Sequence, residues 1–256
     1  MPKIGLALGS GGLRGMAHLG VLQVLEKEQI KIDYIAGCSI GSMVGALYCV
    51  GHDTDMLIKL AQQIKTRHVI DFAVPKMGIF SGNKILEIME LLTKKCEFKE
   101  LKIPLHIVAT DLNKGETVIL NSGSVSKAVR ASISVPGVFV PYELNDRVLV
   151  DGAVLNPTPT DVVFSMGADV VIAVDLSQAY TNFPLRNMFD IMIKSIDIME
   201  NELIKNRQNK SDVILLRPNV AHIPPSSFAH IEESVELGRT CAKEMLPALY
   251  QLLNKC

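Results

Sequence analysis

Tyr34-Ile35-Ala36-Gly37-Cys38-Ser39-Ile40-Gly41-Ser42-Met43-Val44 decides the fold of this chain. Its first five residues read as a buried strand, which stops abruptly at an exposed serine before a helix starts at once. Gly37 and Gly41 flank Ser39 with one residue between on each side, the Gly-x-Ser-x-Gly spacing of a nucleophile elbow. A serine forced onto a sharp strand-to-helix turn has a strained backbone, and glycine neighbours without a Cβ permit the turn. The following helix then aims its N-terminal N–H groups and the positive end of its dipole at the serine. By itself the pentapeptide fits a tightly packed glycine turn equally well, so the flanking sequence has to decide.

Toward the N-terminus, Lys3 to Leu8 is apolar and reads as a central strand. It leads into the loop Gly9-Ser10-Gly11-Gly12-Leu13-Arg14-Gly15 and a helix reaching Glu28. Strand, glycine loop and helix also open a dinucleotide fingerprint, which needs glycine at its first, third and sixth positions. Counted from Gly9 the sixth position is Arg14, and counted from the next residue the first is Ser10, so no register fits. Nor does the next strand lead to the acid that would bind a ribose; it ends in the elbow. Consecutive glycines instead let successive N–H groups turn to one side and form an anion-binding concavity. Set beside Ser39, the loop is a candidate oxyanion hole with Gly11 and Gly12 as donors. The two loops follow successive strands, which should be neighbours in one sheet.

Toward the C-terminus, Gly51 stops the elbow helix and Asp53 or Thr54 caps the next, whose apolar face is Met56, Leu57, Leu60, Ala61 and Ile64. Val69 to Phe80 lacks clear periodicity and reads as a loop, ahead of a helix over Lys84 to Lys95. Strands Leu105 to Thr110 and Thr117 to Leu120 join through the turn Asn113-Lys114-Gly115. Arg130 to Pro141, uncharged after Arg130 and carrying two prolines, reads as an ordered loop and not a helix. Arg147 to Val150 forms a short strand that ends in Asp151-Gly152-Ala153. An acid there suits a site residue of a parallel sheet, and equally a turn acid or an N-cap.

Beyond it come a short helix (Asp161 to Met166), a central strand (Asp169 to Leu176) and a long helix (Met188 to Arg207). Ile191, Met192, Ile196, Met199, Leu203 and Ile204 are expected on one face of that helix. Val213 to Leu216 is another strand, and a last helix covers Ile231 to Leu253. The alternation predicts an α/β fold of three layers, a mostly parallel central sheet with helices on both faces, as one domain over residues 1–256.

Composition narrows the function. Lys and Arg number 26 against 27 Asp and Glu, a net charge of −1, so no global field favours nucleic acid. Cys38, Cys49, Cys96, Cys241 and Cys256 include no Cys-x-x-Cys pair and are odd in number, against a disulfide framework or a structural zinc site. A reducing cytoplasm is the expected compartment. Ile35 to Gly51 carries no charge, but its glycines and the elbow fit a buried strand and helix, and a membrane span needs about 20 apolar residues.

The loop Gly9 to Gly15, the elbow Gly37 to Gly41 and Asp151-Gly152-Ala153, in this order and spacing, resemble the patatin-like phospholipases. The likeness runs on through Arg130 to Pro141 and Asn156-Pro157 and covers most of residues 4–176. It implies a serine hydrolase with a Ser–Asp dyad and no histidine, Ser39 being the nucleophile and Asp151 the base. Gly11, Gly12 and the N–H of Leu13 match the oxyanion loop and Arg14 the arginine that holds it, with Gly9, Gly15, Gly37, Gly41 and Gly152 in support. The implied substrates are phospholipids, lysophospholipids or simple carboxylic esters, with no metal and no cofactor; peripheral membrane contact stays open. The family loop usually has glycine where this chain has Ser10. Two rivals stand beside this reading: a Ser-His-Asp triad using His222 or His230, and a non-catalytic lipid- or partner-binding module on the same scaffold.

Overall fold

The protein is described here by a computed structural model over residues 2–71, 77–177, 188–205 and 212–253. Its strands are β1 (Ile4–Leu8), β2 (Tyr34–Cys38), β3 (Gly78–Phe80), β4 (Leu105–Asp111), β5 (Glu116–Leu120), β6 (Gly137–Phe139), β7 (Tyr142–Leu144), β8 (Arg147–Asp151), β9 (Val170–Val174) and β10 (Val213–Leu216). Its α-helices are α1 (Ala17–Lys27), α2 (Ile40–Val50), α3 (Thr54–Gln63), α4 (Thr66–Val69), α5 (Asn83–Leu92), α6 (Val125–Ser132), α7 (Thr160–Ser165), α8 (Met188–Lys205) and α9 (Ile231–Leu253).

The main sheet runs β10-β9-β1-β2-β4-β8-β7, with β5 also paired to β4. From β10 to β4 all neighbours are parallel, and β5, β7 and β8 complete the sheet antiparallel. As the two glycine loops require, β1 and β2 are adjacent, pairing Leu8 with Gly37. Successive side chains of a strand point to opposite faces, and the sequence uses that alternation unevenly. Leu6, Leu8, Ile35, Ile107 and Ile172 belong to a large core with residues of α1, α2, α3 and α9. Ala7, Ala36, Val108, Val171 and Ala173 belong to a thin one, where Val162 and Val163 of short α7 pack. Small residues on one face thus permit a close short helix, and large ones on the other fill the thicker layer.

Four expectations are corrected. The strand ending in Asp151 is antiparallel to β4, not part of the parallel set. A pairing direction cannot be read from a strand's own residues, because parallel and antiparallel strands share the same alternation. Residues 130–141 are not one loop: α6 carries Arg130, Ala131 and Ser132, with Ser124 as N-cap accepting from the Lys127 N–H. Further on, β6 pairs with β3 in a separate two-stranded parallel sheet, inside what read as unpatterned loops. Arg130 ties these pieces together, donating to the carbonyls of Ser81 and Val140 and to Ser134 Oγ. Last, the apolar stripe expected along α8 is not covered evenly along its length. Ile204 is buried, whereas Ile191 and Met199 are exposed. Arg207, the expected end of that helix, lies outside the described residues.

Candidate active site

The elbow is built where β2 meets α2. Ser39 has φ 53° and ψ −123°, a conformation that costs a non-glycine residue about 1–3 kcal/mol unless its surroundings hold it. Hydrogen bonds around its backbone do so. The Ser39 N–H donates to Ser132 Oγ (2.8 Å), which itself donates to the Val108 carbonyl (2.7 Å). The Ser42 N–H (2.9 Å) and hydroxyl (2.6 Å) donate to the Ser39 carbonyl. A Cβ on Gly41 would lie 2.1 Å from the Leu8 carbonyl oxygen, and one on Gly37 would lie 2.6 Å from that of Gly41. The elbow therefore packs directly on the end of β1. Ser39 is buried, at 7% exposure, rather than exposed as its turn position suggested. It borders a cavity instead of standing out on the turn.

Asp151 reaches Ser39 by a route the sequence does not display. β5 occupies one edge of β4 over Ile107 to Asp111, so β2 and β8, which pair with overlapping residues, share the other. On that edge Cys38 pairs with Val108 and Asp151 with Ala109. The two strands arrive from opposite directions and meet end to end. Ser39 Oγ donates to Asp151 Oδ2 at 2.5 Å, while Oδ1 accepts from the Ala153 N–H (2.9 Å) and, more distantly, from Cys38 Sγ (3.8 Å). Burial pushes the Asp151 carboxyl up to about 6, against the opposing pull of the hydrogen bonds from Ser39, Ala153 and Cys38. Gly152 has to be glycine here, since a Cβ would lie 2.4 Å from the Val108 carbonyl oxygen.

The glycine loop lies beside this pair along the same cavity. Its ends are anchored: the Gly9 N–H donates to the Val174 carbonyl (3.0 Å), that of Ser10 to Pro157 (2.9 Å) and that of Leu13 to Pro225 (2.7 Å). His18, fully buried and pushed down to about 4 by desolvation, is a neutral ring whose Nε2–H donates to the Gly9 carbonyl (2.8 Å). Between the anchors, the N–H groups of Gly11 and Gly12 have no hydrogen-bond partner among the described residues. Gly12 sits at φ +59°, in the left-handed region. Leu13 departs from expectation, because its N–H is already engaged by Pro225. Arg14 grips the surroundings and not the glycines, donating to the Ile223 carbonyl (2.7 Å) and facing Asp197 of α8 (3.4 Å). Gly9 and Gly15 are packing positions, where a Cβ would strike the Val174 carbonyl oxygen and Ile40.

Ser39, Asp151, Gly11 and Gly12 border one cavity of about 790 Å³, a size that suits a small-molecule site. Its walls are mostly apolar, with Leu57 and Ala61 from α3, Ile85 and Met89 from α5, and Ile193 and Ile196 from α8. Neither candidate triad histidine reaches Ser39. His222 pairs with Glu233 (2.7 Å), and His230 with Ser227 (2.5 Å). Sequence reasoning missed Ser132, His18 as a loop anchor, and Glu200, which bonds Ser10. Ser132 and Glu200 act through contacts distant along the chain, and His18 through one nine residues away across the loop, so only the fold reveals them.

An elbow serine bonded to a buried aspartate thus sits on a three-layer α/β/α sheet. A family model, patatin-like phospholipase, matches residues 6–164. The chain belongs to the patatin-like phospholipase family. An uncharacterised NTE family protein of Mycobacterium bovis is 38% identical over 179 residues, covering 69% of this chain and 49% of that protein. Mouse patatin-like phospholipase domain-containing protein 6 is 32% identical over 181 residues, 68% of this chain and 13% of that protein. The chain thus spans about half the length, or less, of these curated relatives. Among solved structures, VipD from Legionella pneumophila shares the fold with a TM-score of 0.56 at 14% identity, over 96% of this chain and 67% of that one. The type III effector ExoU does so with a TM-score of 0.52 at 12% identity, over 95% of this chain and 53% of that one.

Proposed function

We propose that this chain hydrolyses carboxylic esters of acyl lipids, with Ser39 as nucleophile and Asp151 as base. The observation that carries the proposal is the 2.5 Å Ser39–Asp151 hydrogen bond at an apolar cavity that two unengaged amides also border. Ser39 Oγ attacks the ester carbonyl carbon while its proton passes to Asp151 Oδ2. Negative charge gathers on the carbonyl oxygen, where the Gly11 and Gly12 N–H groups receive it; one such donor is worth on the order of 10²–10³ in rate. The intermediate collapses, the leaving alcohol takes the proton from Asp151, and an acyl-enzyme remains. Water then gives a proton to Asp151 and attacks the acyl carbon; the acyl C–Oγ bond breaks, Ser39 Oγ takes the proton back from Asp151, and the fatty acid leaves.

A carboxyl near 6 suits this role, being ionised at neutral pH yet more basic than a solvated aspartate. The same reading takes the cytoplasm as compartment and peripheral contact with a lipid surface as the route to substrate. Supporting these are the unpaired Cys38, Cys49, Cys96 and Cys241, and the exposed Ile79 and Val154, which also border the cavity. Ser39→Ala and Asp151→Asn should each reduce p-nitrophenyl ester hydrolysis to background, with unchanged circular dichroism. A fluorophosphonate should label the wild-type chain at Ser39. Substantial activity in Asp151→Asn would refute the dyad, and an unlabelled, inert wild type would favour the binding module.

A further inference from the structure

Two acidic side chains of α8, one helical turn apart, point at the glycine loop. Glu200 Oε2 accepts from Ser10 Oγ at 2.7 Å, and Asp197 Oδ2 faces Arg14 Nη1 at 3.4 Å. Both acids also border the cavity. Ser10 is the pivotal residue of the pair. Its N–H is fixed on the Pro157 carbonyl, and the peptide group that follows it carries the unengaged Gly11 N–H. The ψ angle of Ser10 therefore sets where that N–H points. A glycine at position 10 would leave the angle to the backbone alone, whereas a tethered serine side chain restrains it.

We propose that Glu200 is a positioning residue for the hydrolase reaction, holding the Ser10–Gly11 peptide through Ser10 so that the Gly11 N–H faces the developing oxyanion. This rests on the function proposed above. The Arg14–Asp197 pair is the second fastening of α8 to the loop and fixes the rotation of the helix that delivers Glu200. Burial pushes the Glu200 carboxyl well above the ordinary range, with Asp151 and Asp197 pushing the same way. Ser10, where the resemblance showed a departure from the usual glycine, is on this account one half of a tether whose other half lies on α8.

The test compares Glu200→Ala, Glu200→Gln, Ser10→Gly and the double variant Ser10→Gly/Glu200→Ala, with p-nitrophenyl ester kinetics and amide hydrogen exchange at residue 10, whose N–H bonds the Pro157 carbonyl. Misplacing one donor without deleting it should cost roughly tenfold in kcat, with KM within about twofold. Glu200→Ala and Ser10→Gly should each show that loss, and the double variant should be no worse than either. Glu200→Gln, still able to bond Ser10, should recover most of kcat. Exchange at the Ser10 amide should quicken in Glu200→Ala and not in Glu200→Gln. Unchanged kcat in Glu200→Ala, losses that multiply in the double variant, or Glu200→Gln as impaired as Glu200→Ala would overturn the tether. A wild type inert toward esters would defeat the hydrolase reading alone, and the exchange measurement, which needs no turnover, would still decide whether Glu200 restrains the loop.

Discussion

Asp151 is where burial, hydrogen bonding and chemistry meet in one side chain. Its carboxyl titrates near 6 in the folded protein and near 3.8 when solvated. Ionising it therefore costs the folded state free energy, a cost absent below pH 3.8 and fully present above about 6. The size is about 3 kcal/mol. Two outcomes are expected. If Asp151 is the base proposed above, the pH profile of kcat/KM should rise through an apparent pKa near 6 and fall off on the acid side, where its carboxyl is protonated. Asp151→Asn, inactive at every pH, should melt higher than wild type at pH 8 and no higher at pH 4. A variant less stable than wild type at pH 8 would contradict a raised carboxyl pKa.

At the scale of elements, the turns were legible in the sequence and the pairings were not. Gly9 to Gly15 and Gly37 to Gly41 stand out because each close approach excludes a Cβ, and that restriction is written directly in residue identity. Gly41→Ala should fail to fold or lose at least about 3 kcal/mol in chemical denaturation, as its methyl meets the rigid Leu8 carbonyl. Gly115→Ala, with φ +64° and open space around the Cβ, should lose only about 1 kcal/mol. By contrast, nothing local marks β8 as antiparallel or β3 as the partner of β6. Three-residue strands carry too little alternation to specify a partner. Ile191 and Met199 of α8 stand outward where Ile204 is buried, because spacing alone cannot say which part of an apolar stripe is covered.

Across the whole molecule, the cavity joins segments distant in sequence, from the glycine loop to α3, α5 and α8. No helix of the described residues is long and apolar enough to cross a membrane. Composition foretold an apolar core but not a hollow within it, since filled and empty interiors draw on the same residues. Ala61 is a small residue on the cavity wall. Ala61→Phe should lower kcat/KM for long-chain p-nitrophenyl esters at least tenfold and leave acetate or butyrate esters within about twofold. Equal losses across the series would place the acyl chain elsewhere.

The end-to-end meeting of β2 and β8 along β4 carries one more implication. Ser39 and Asp151, the proposed nucleophile and base, come at the ends of different strands, and the strand ending in Asp151 belongs to a hairpin whose outer member, β7, has only three residues at the sheet margin. Fraying of that margin would withdraw the carboxylate while the parallel strands and their helices stay intact. Warming should therefore silence the protein several degrees before its far-ultraviolet dichroism reports unfolding, and cooling from that window should restore turnover in full.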